Sequence, residues 1–235
     1  MKRALFEQLS KARADKRPIV LVTELDTGNQ VLVEADDVSG TLADDVITAA
    51  REALVSGRSA TLEASTAGRV FLHVFNPPLR LFIIGAVHIA QALAPMAAML
   101  DYSVTVIDPR RAFSSPRRFD EIRVLDGWPD EALAAEAPDA RSAVVTLTHD
   151  PKLDDPALRA ALESDAFYIG CLGSRRTHGK RLERLAAAGF DDASLARLHG
   201  PVGLDIGASS PAEIATAILA EVTRRLRRGP DREQG

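Results

Sequence analysis

The stretch LRLFIIGAVHIAQAL, Leu79 to Leu93, decides the fold. Its apolar first half predicts a buried strand, Gly85 predicts a tight turn, and the remainder predicts a helix. A strand, a glycine turn and a helix in this order open a dinucleotide-binding α/β fold, in which the pattern G-x-G-x-x-G/A brings the backbone close to a pyrophosphate. Gly85 and Ala90 match the first and third positions of that pattern, whereas Val87 replaces the middle glycine.

The sequence after this stretch alternates apolar strands with helical patterns. Four further strands are predicted at YSVTVID, EIRVLD, SAVVTLTHD and AFYIGCLGS. Helices are predicted near 88–100, 129–136, 155–163 and 175–188, and Ser210, Pro211 and Glu213 form a capping box that begins a last helix. Strands that are apolar on both faces and separated by helices indicate a mainly parallel sheet that is covered on both sides. We therefore predict a Rossmann-like α/β domain.

The region before this domain has its own pattern. Residues 1–75 show a charged helix, two short strands around a DTGN turn, a second helix and two more strands. The segment Asn76-Pro77-Pro78 interrupts both helix and sheet, because proline lacks a backbone N–H. We predict a small α/β domain at 1–78 and the Rossmann-like, mainly parallel sheet domain at 79–235.

Composition narrows the class of protein. The chain has 235 residues, 46% of them hydrophobic and 26% charged, with a formal net charge of -4. These values are typical of a globular protein and argue against disorder or general nucleic-acid binding. The sequence lacks a long apolar run and a signal-like start, so we expect no membrane span and a cytoplasmic location. Its single cysteine, Cys171, excludes an internal disulfide or a CxxC motif and is expected to be a buried strand residue.

Candidate site residues follow the predicted strands, because parallel sheets bind ligands at the carboxyl ends of their strands. They are Gly85, Ala86, Val87 and His88 after the first strand, Asp108 and Arg110 after the second, His149 after the fourth, Gly173, Ser174, Arg175 and Arg176 after the fifth, and Asp205 and Gly207 in a glycine-rich loop before the last helix. Helix N-termini attract anions, and arginine binds phosphate through two parallel hydrogen bonds. The set predicts an anionic, phosphate-bearing ligand and no metal site.

Structural roles remain open for several of these positions. Gly85 also suits a purely structural turn, and Asp108 suits a cap at the end of a strand. His88 and His149 each suit a helix cap or a solvated turn. The run SRRTHGKRLERL is typical of a solvated helix face, which we predict for Arg181 and Arg184.

Five segments together resemble one family. They are GAVHIAQAL, VTVIDPRRAF, TLTHDPKLDDPAL, FYIGCLGSRRTHGKRLERL and HGPVGLDIGASSPAEIA, which span most of 79–228. Their ordered set is similar to the XdhC/CoxI family, also called XdhC/CoxF, whose members are maturation factors for xanthine and carbon monoxide dehydrogenases. The segment SGTLADDVITAAREALVSGRSATL in the N-terminal region is similar more loosely.

The resemblance implies a Rossmann-like domain that binds molybdenum cofactor, as molybdopterin or its cytosine dinucleotide form, shields it and delivers it to a molybdenum hydroxylase. The expected partners are a xanthine or carbon monoxide dehydrogenase-type enzyme, a separate cysteine desulfurase that sulfurates the metal, and a second copy of the chain in a homodimer. On this model, the four residues after the first strand contact the cofactor. Asp108 holds a sugar or pterin group, Arg175 and Arg176 hold phosphate, and Asp205 and Gly207 close the crevice.

The chain departs from some relatives at one position. Those relatives carry a Gly-Gly-Cys segment where this chain has Ser39-Gly40-Thr41-Leu42, so no cysteine stands there to carry sulfur. This favours a cofactor carrier or scaffold over a turnover enzyme. Two alternatives remain: an NAD(P)-dependent oxidoreductase with Arg110 and Arg111 near a 2'-phosphate, and a scaffold that recruits the dehydrogenase and desulfurase without binding cofactor.

Overall fold

Two compact units make up the chain, Met1–Pro77 and Pro78–Gly235. The structure is a computed structural model that describes residues 2–64, 68–110, 119 and 122–228. Arg111, one of the residues considered for a 2'-phosphate contact, lies outside the described residues.

The N-terminal unit is an antiparallel sheet with one helix on each face. Its elements are α1 (Arg3–Ala14), β1 (Ile19–Glu24), β2 (Gln30–Val33), α2 (Asp44–Ser56), β3 (Ala60–Ala64) and β4 (Gly68–Phe75), and the strand order is β2-β1-β4-β3. Side chains alternate along a strand, so Val20 and Val22 of β1 pack with Val46 of α2, whereas Ile19 and Leu21 pack with α1. The sheet therefore has a buried apolar cluster on each face.

The C-terminal unit is a parallel sheet of six strands. Its elements are β5 (Leu79–Ile84), α3 (His88–Met99), β6 (Tyr102–Ile107), β7 (Arg123–Leu125), α4 (Pro129–Glu136), β8 (Ser142–Thr146), α5 (Pro151–Leu162), β9 (Tyr168–Cys171), α6 (Arg175–Ala187), α7 (Asp192–Leu195), β10 (Leu198–His199) and α8 (Pro211–Arg228). The strand order is β10-β9-β8-β5-β6-β7, and every neighbouring pair is parallel.

Helices cover both faces of this sheet. Ile83 of β5 belongs to a buried cluster with Leu93 of α3 and Ile218 of α8. Its neighbour Phe82 belongs to the opposite cluster, which α4, α5 and α6 complete. The predicted fold class, a Rossmann-like and mainly parallel α/β sheet, is confirmed.

One predicted helix boundary is wrong, and two short elements were not predicted. Helix α5 begins at Pro151, four residues before its predicted start, because the Asp150 side chain accepts a hydrogen bond of 3.0 Å from the Lys152 N–H and caps the helix. Helix α7 and strand β10 have only four and two residues, too few to show a periodic pattern.

Helix α8 begins with the predicted capping box. The Glu213 N–H donates to Ser210 Oγ at 3.3 Å, and the Ser210 N–H donates to Glu213 Oε2 at 2.8 Å. With 18 residues, α8 is the longest helix in the described part of the chain. Neither α8 nor any other described helix combines the length and apolar character needed to cross a bilayer.

Candidate functional site

The order of the strands reverses beside β5 in the C-terminal unit. The chain runs from β5 through β6 to β7 on one side, then returns to β8, β9 and β10 on the other. The carboxyl ends of β5 and β8 thus frame the switch point at which open α/β sheets bind ligands. Residues Gly85 to His88 follow β5 at this point, and Thr148 and His149 follow β8.

The turn after β5 requires a glycine for two reasons. Gly85 has a φ of +103°, a backbone conformation that other residues rarely adopt. A Cβ atom added to Gly85 would also lie 2.5 Å from Thr148 Cγ2. The turn is held to the neighbouring strand by the Gly85 N–H, which donates to the Ile107 carbonyl at 2.9 Å. Gly85 and Thr148 therefore join the two strand ends at the switch point.

Helix α3 presents its N-terminus at the same edge of the sheet. Val87 is the N-cap residue, and no side chain among the described residues caps the first turn. His88 is exposed at the first helical position, and Ala90 is fully buried, as the small residue expected at the third position of the glycine pattern. The backbone N–H groups at a helix start carry partial positive charge, so this turn suits an anion.

Asp108 lies at the end of β6, beside the turn, with its side chain fully buried. Oδ2 accepts from the Ala86 N–H at 2.8 Å and from Arg110 Nη2 at 2.8 Å. Oδ1 accepts from the Arg110 N–H and from Arg110 Nε, both at 2.9 Å. Burial by itself would raise the pKa of Asp108, but hydrogen bonds from Arg110 and Ala86 lower it below its ordinary value.

These four hydrogen bonds limit what Asp108 can do. A carboxylate has about four lone-pair positions, and all of them are used here. A sugar or pterin group could bind Asp108 only after Arg110 moved away, so that role stays a prediction. In the observed arrangement Asp108 fixes the turn at Ala86 and orients the Arg110 guanidinium.

A pocket of about 250 Å³ lies between α5 and α6, next to the switch point. It is lined by His149, Pro151, Asp154, Arg176, Thr177, Lys180, Arg181 and Arg184. Of the predicted site residues, the pocket brings together His149 and Arg176. His149 adopts a φ of +60°, and a Cβ added to Gly173 would lie 3.8 Å from its Nδ1, so the ends of β8 and β9 meet here.

Arg181 is buried at the wall of this pocket, so the predicted solvated position is wrong. Only 2% of its surface is exposed. Nη2 donates to the Leu172 carbonyl at 2.9 Å and lies 3.7 Å from Asp154 Oδ2, whereas Nε and Nη1 have no hydrogen-bond acceptor among the described residues. A buried donor without an acceptor costs about 1 to 3 kcal/mol, so such groups usually have a ligand, an ion or a water as partner.

Asp154 is the buried counter-charge of Arg181. Its Oδ1 accepts a hydrogen bond of 2.6 Å from Thr148 Oγ1, while its Oδ2 makes no hydrogen bond within the described ranges. Burial raises the pKa of Asp154, and the Thr148 hydroxyl and the Arg181 charge offset only part of that shift. The Thr148 side chain therefore links the turn at Gly85 to the pocket between α5 and α6.

The start of α6 is only partly available to a ligand. Ser174 caps the helix, because its Oγ accepts from the Thr177 N–H at 3.2 Å. Arg175 is exposed and does not line the pocket, whereas Arg176 does. The expected solvated position of Arg184 is confirmed, since its side chain is 41% exposed and pairs with Asp155.

The glycine-rich loop before α8 is anchored away from the pocket. The Gly203 N–H donates to Glu221 Oε2 at 2.7 Å, and the Tyr168 hydroxyl donates to the same oxygen at 2.5 Å. Asp205 and Gly207 are exposed, and neither lines the pocket between α5 and α6. Their role in closing the crevice stays a prediction. Glu221 was not identified from the sequence as a residue that anchors this loop. Its only distinguishing feature in the sequence is that it is a charged residue on the apolar side of α8.

Cys171 is the last residue of β9 and is fully buried, as predicted. Burial raises the pKa of its thiol to about 12. The thiol is therefore protonated near neutral pH, and the thiolate is the form that reacts. In the described part of the chain, no three His, Cys, Asp or Glu side chains are placed to hold a metal ion.

Comparison with known proteins identifies the family. Residues 81–222, more than half of the chain, match the model of the XdhC Rossmann domain. The chain belongs to the XdhC family. The XdhC match contains the turn at Gly85, the Asp108–Arg110 pair and the pocket between α5 and α6, and it confirms the resemblance inferred from the sequence.

Two curated bacterial proteins are similar to part of this chain. The molybdenum cofactor insertion chaperone PaoD of Escherichia coli (strain K12) is 34% identical over 148 residues, which are 63% of this chain and 40% of PaoD. A protein of Bacillus subtilis (strain 168) described as a probable xanthine dehydrogenase component is 29% identical over 160 residues, 68% of this chain and 46% of that protein. The chain thus spans less than half the length of these curated relatives.

A solved structure shares the XdhC fold. A crystal structure described as a xanthine dehydrogenase from Bacillus halodurans aligns with a TM-score of 0.73 and 22% sequence identity, over 96% of this chain and 67% of that chain. The likeness establishes a common fold.

Proposed function

We propose that this chain is a maturation factor that binds molybdenum cofactor and assists its sulfuration and insertion into a xanthine or carbon monoxide dehydrogenase-type enzyme. The observation that carries the proposal is that the uncapped start of α3 and a cationic pocket flank one switch point in an XdhC Rossmann domain. The description of PaoD as a cofactor insertion chaperone supports it.

The residues at the switch point fit an anionic cofactor. Both molybdopterin and its cytosine dinucleotide form carry phosphate, which suits the α3 N-terminus and the arginines at the start of α6. The pocket of about 250 Å³ is smaller than the roughly 300 to 1,000 Å³ that enclose drug-sized ligands, so it fits one end of such a molecule. The cofactor, once delivered, supplies the molybdenum centre of the recipient enzyme.

Sulfur chemistry falls to a partner in this proposal. Cys171 is buried and protonated near neutral pH, and Ser39 to Leu42 contain no cysteine. A separate cysteine desulfurase would supply the sulfur while this chain, as a cytoplasmic homodimer, holds the cofactor. The chain then acts as a carrier rather than a turnover enzyme.

The deciding experiment measures cofactor retention. The protein is mixed without oxygen with released molybdenum cofactor, passed through gel filtration, and assayed for molybdenum and for oxidised pterin fluorescence, with NADH as a parallel ligand. Near-stoichiometric pterin and metal without NADH support the proposal. NADH retained without pterin would refute it and show a working nicotinamide site, as the oxidoreductase alternative requires. Retention of neither ligand would favour the scaffold alternative.

A double variant tests the phosphate contacts. Arg175→Ala combined with Arg176→Ala should weaken retention more than tenfold, because each lost charge-assisted hydrogen bond is worth about 1.5 to 3 kcal/mol. Arg159→Ala is the matched control, since this arginine is exposed in the last turn of α5 and does not line the pocket. Unchanged retention in the double variant would refute the phosphate assignment.

A further inference from the structure

The pocket between α5 and α6 carries positive charge that its own residues do not neutralise. Arg176, Lys180, Arg181 and Arg184 all line it, and Arg184 is neutralised by an exposed pair with Asp155. Arg176 and Lys180 are exposed and form no ion pair within the described part of the chain. They stand four residues apart on α6 and therefore lie on the same face of the helix.

Arg181 adds a buried charge behind these two side chains. Two of its three guanidinium nitrogens lack an acceptor among the residues that the structure describes. Asp154 neutralises this charge only in part. Its Oδ2 lies 3.7 Å from Arg181 Nη2, and its Oδ1 accepts a hydrogen bond from the Thr148 hydroxyl. The field of a guanidinium held in a low-dielectric wall reaches further than that of a solvated one.

We infer that this pocket is an oxyanion site that holds a phosphate group, with Arg176 and Lys180 as its contact residues and Arg181 as the fixed charge behind them. The inference deepens the proposed function, on which it rests only for the identity of the molecule that carries the phosphate. It places the phosphate in the pocket between α5 and α6 and not at the capped start of α6, where Arg175 lies.

The chemistry of the lining favours phosphate over other anions. A phosphate monoester carries close to two negative charges near neutral pH and accepts several hydrogen bonds. The cationic side chains of Arg176 and Lys180 offer donors on one helix face. The pocket of about 250 Å³ accommodates a phosphate group and a small part of the molecule that carries it.

A substitution of Asp154 tests the inference, because it should strengthen phosphate binding where most substitutions in a binding site weaken it. Its carboxylate lies beside Arg181 and lines the same pocket, so it repels an anion that enters. Asp154→Asn should therefore strengthen phosphate binding, by about threefold, whereas a purely structural role for the Asp154–Arg181 pair predicts no gain.

Calorimetric titration of the full chain at mildly alkaline pH provides the measurement. The probes are inorganic phosphate, CMP and cytidine, and the variants are Arg176→Ala with Lys180→Ala, Asp154→Asn and the control Arg159→Ala. Phosphate and CMP should bind and cytidine should not. The double variant, whose two residues are exposed, should fold and lose at least about tenfold in affinity. CMP binding tighter than phosphate identifies a phosphate ester as the ligand, and equal affinities identify free phosphate.

The outcomes separate this inference from the proposed function. Absence of phosphate and CMP binding, or binding that the double variant leaves unchanged, overturns the inference. If the same preparation still retains pterin and molybdenum, the proposed function stands without this subsite. If phosphate binds in the pocket but pterin is not retained, the oxyanion site stands and the proposed function fails.

Discussion

Replacing Gly85 with alanine tests the geometry of the switch point. The substitution adds one methyl group where the backbone has a φ of +103° and where Thr148 Cγ2 would lie 2.5 Å from the new atom. Both effects raise the free energy of the folded state. Gly85→Ala should therefore destabilise the C-terminal unit without changing the charge of the site.

The magnitude follows from the two effects. A residue other than glycine in the left-handed region costs about 1 to 2 kcal/mol, and forcing an extra carbon into a packed site costs about 1 to 3 kcal/mol. Together they predict a loss of about 2 to 5 kcal/mol in the free energy of unfolding. Gly127→Ala is the matched control, because Gly127 has no positive φ and no atom within 4 Å of an added Cβ, so its effect should be small.

Urea unfolding followed by tryptophan fluorescence measures both variants. Trp128, the single tryptophan of the chain, precedes α4 and so reports on the C-terminal unit. The substitution Thr148→Ser separates the packing cost from the backbone cost. It removes Cγ2 but keeps the hydroxyl that donates a hydrogen bond to Asp154. In the Gly85→Ala background this second change should recover the packing cost and leave the backbone cost.

Two results would refute the reasoning. A loss of less than about 0.5 kcal/mol in Gly85→Ala would mean that the turn tolerates a side chain. Failure of Thr148→Ser to recover any stability would mean that the two side chains do not collide.

Two further predictions concern titratable groups. The Cys171 thiol should resist iodoacetamide near pH 8 in the folded chain and react after unfolding in urea, because burial raises its pKa to about 12. Rapid alkylation of the folded chain, measured by mass spectrometry, would contradict this. Hydrogen bonds from the Ser210 and Ser209 N–H groups lower the pKa of Glu213 to about 2. The contribution of Glu213 to stability is therefore fully present above its ordinary pKa of 4.5 and is lost as the pH falls toward 2. The advantage of the wild type over Glu213→Gln in urea should shrink as the pH falls through this range, and a constant difference would exclude the effect.

The fold was predictable because its signals are local. The runs that became β5, β6, β8 and β9 are apolar on both faces, and the residues of the capping box at α8 lie within four positions of one another. The start of α5 was missed although Asp150 and Pro151 form a recognisable start signal. Strand β10 could not be predicted, because a two-residue strand is defined only by its pairing with β9.

The site was less predictable because its contacts join distant segments. The switch-point turn was found from its glycine pattern. The burial of Arg181 was not predicted, since its neighbours, the Leu172 carbonyl and Asp154, both lie outside its own helix. The saturation of Asp108 depends on the conformation of the two residues that follow it, which lets Arg110 fold back onto the carboxylate, and no periodic pattern encodes that conformation.

The Asp108–Arg110 pair also affects how mutant phenotypes at this site are interpreted. Substitution of Asp108 removes an acceptor from the turn and releases Arg110, while substitution of Arg110 leaves a buried carboxylate short of two side-chain donors. Loss-of-function alleles at the two positions would therefore damage one shared element. A genetic screen that recovers alleles at both positions would have identified one structural element twice. A suppressor mutation at either position would indicate that the pair has been restored, and it would not by itself indicate a contact with a ligand.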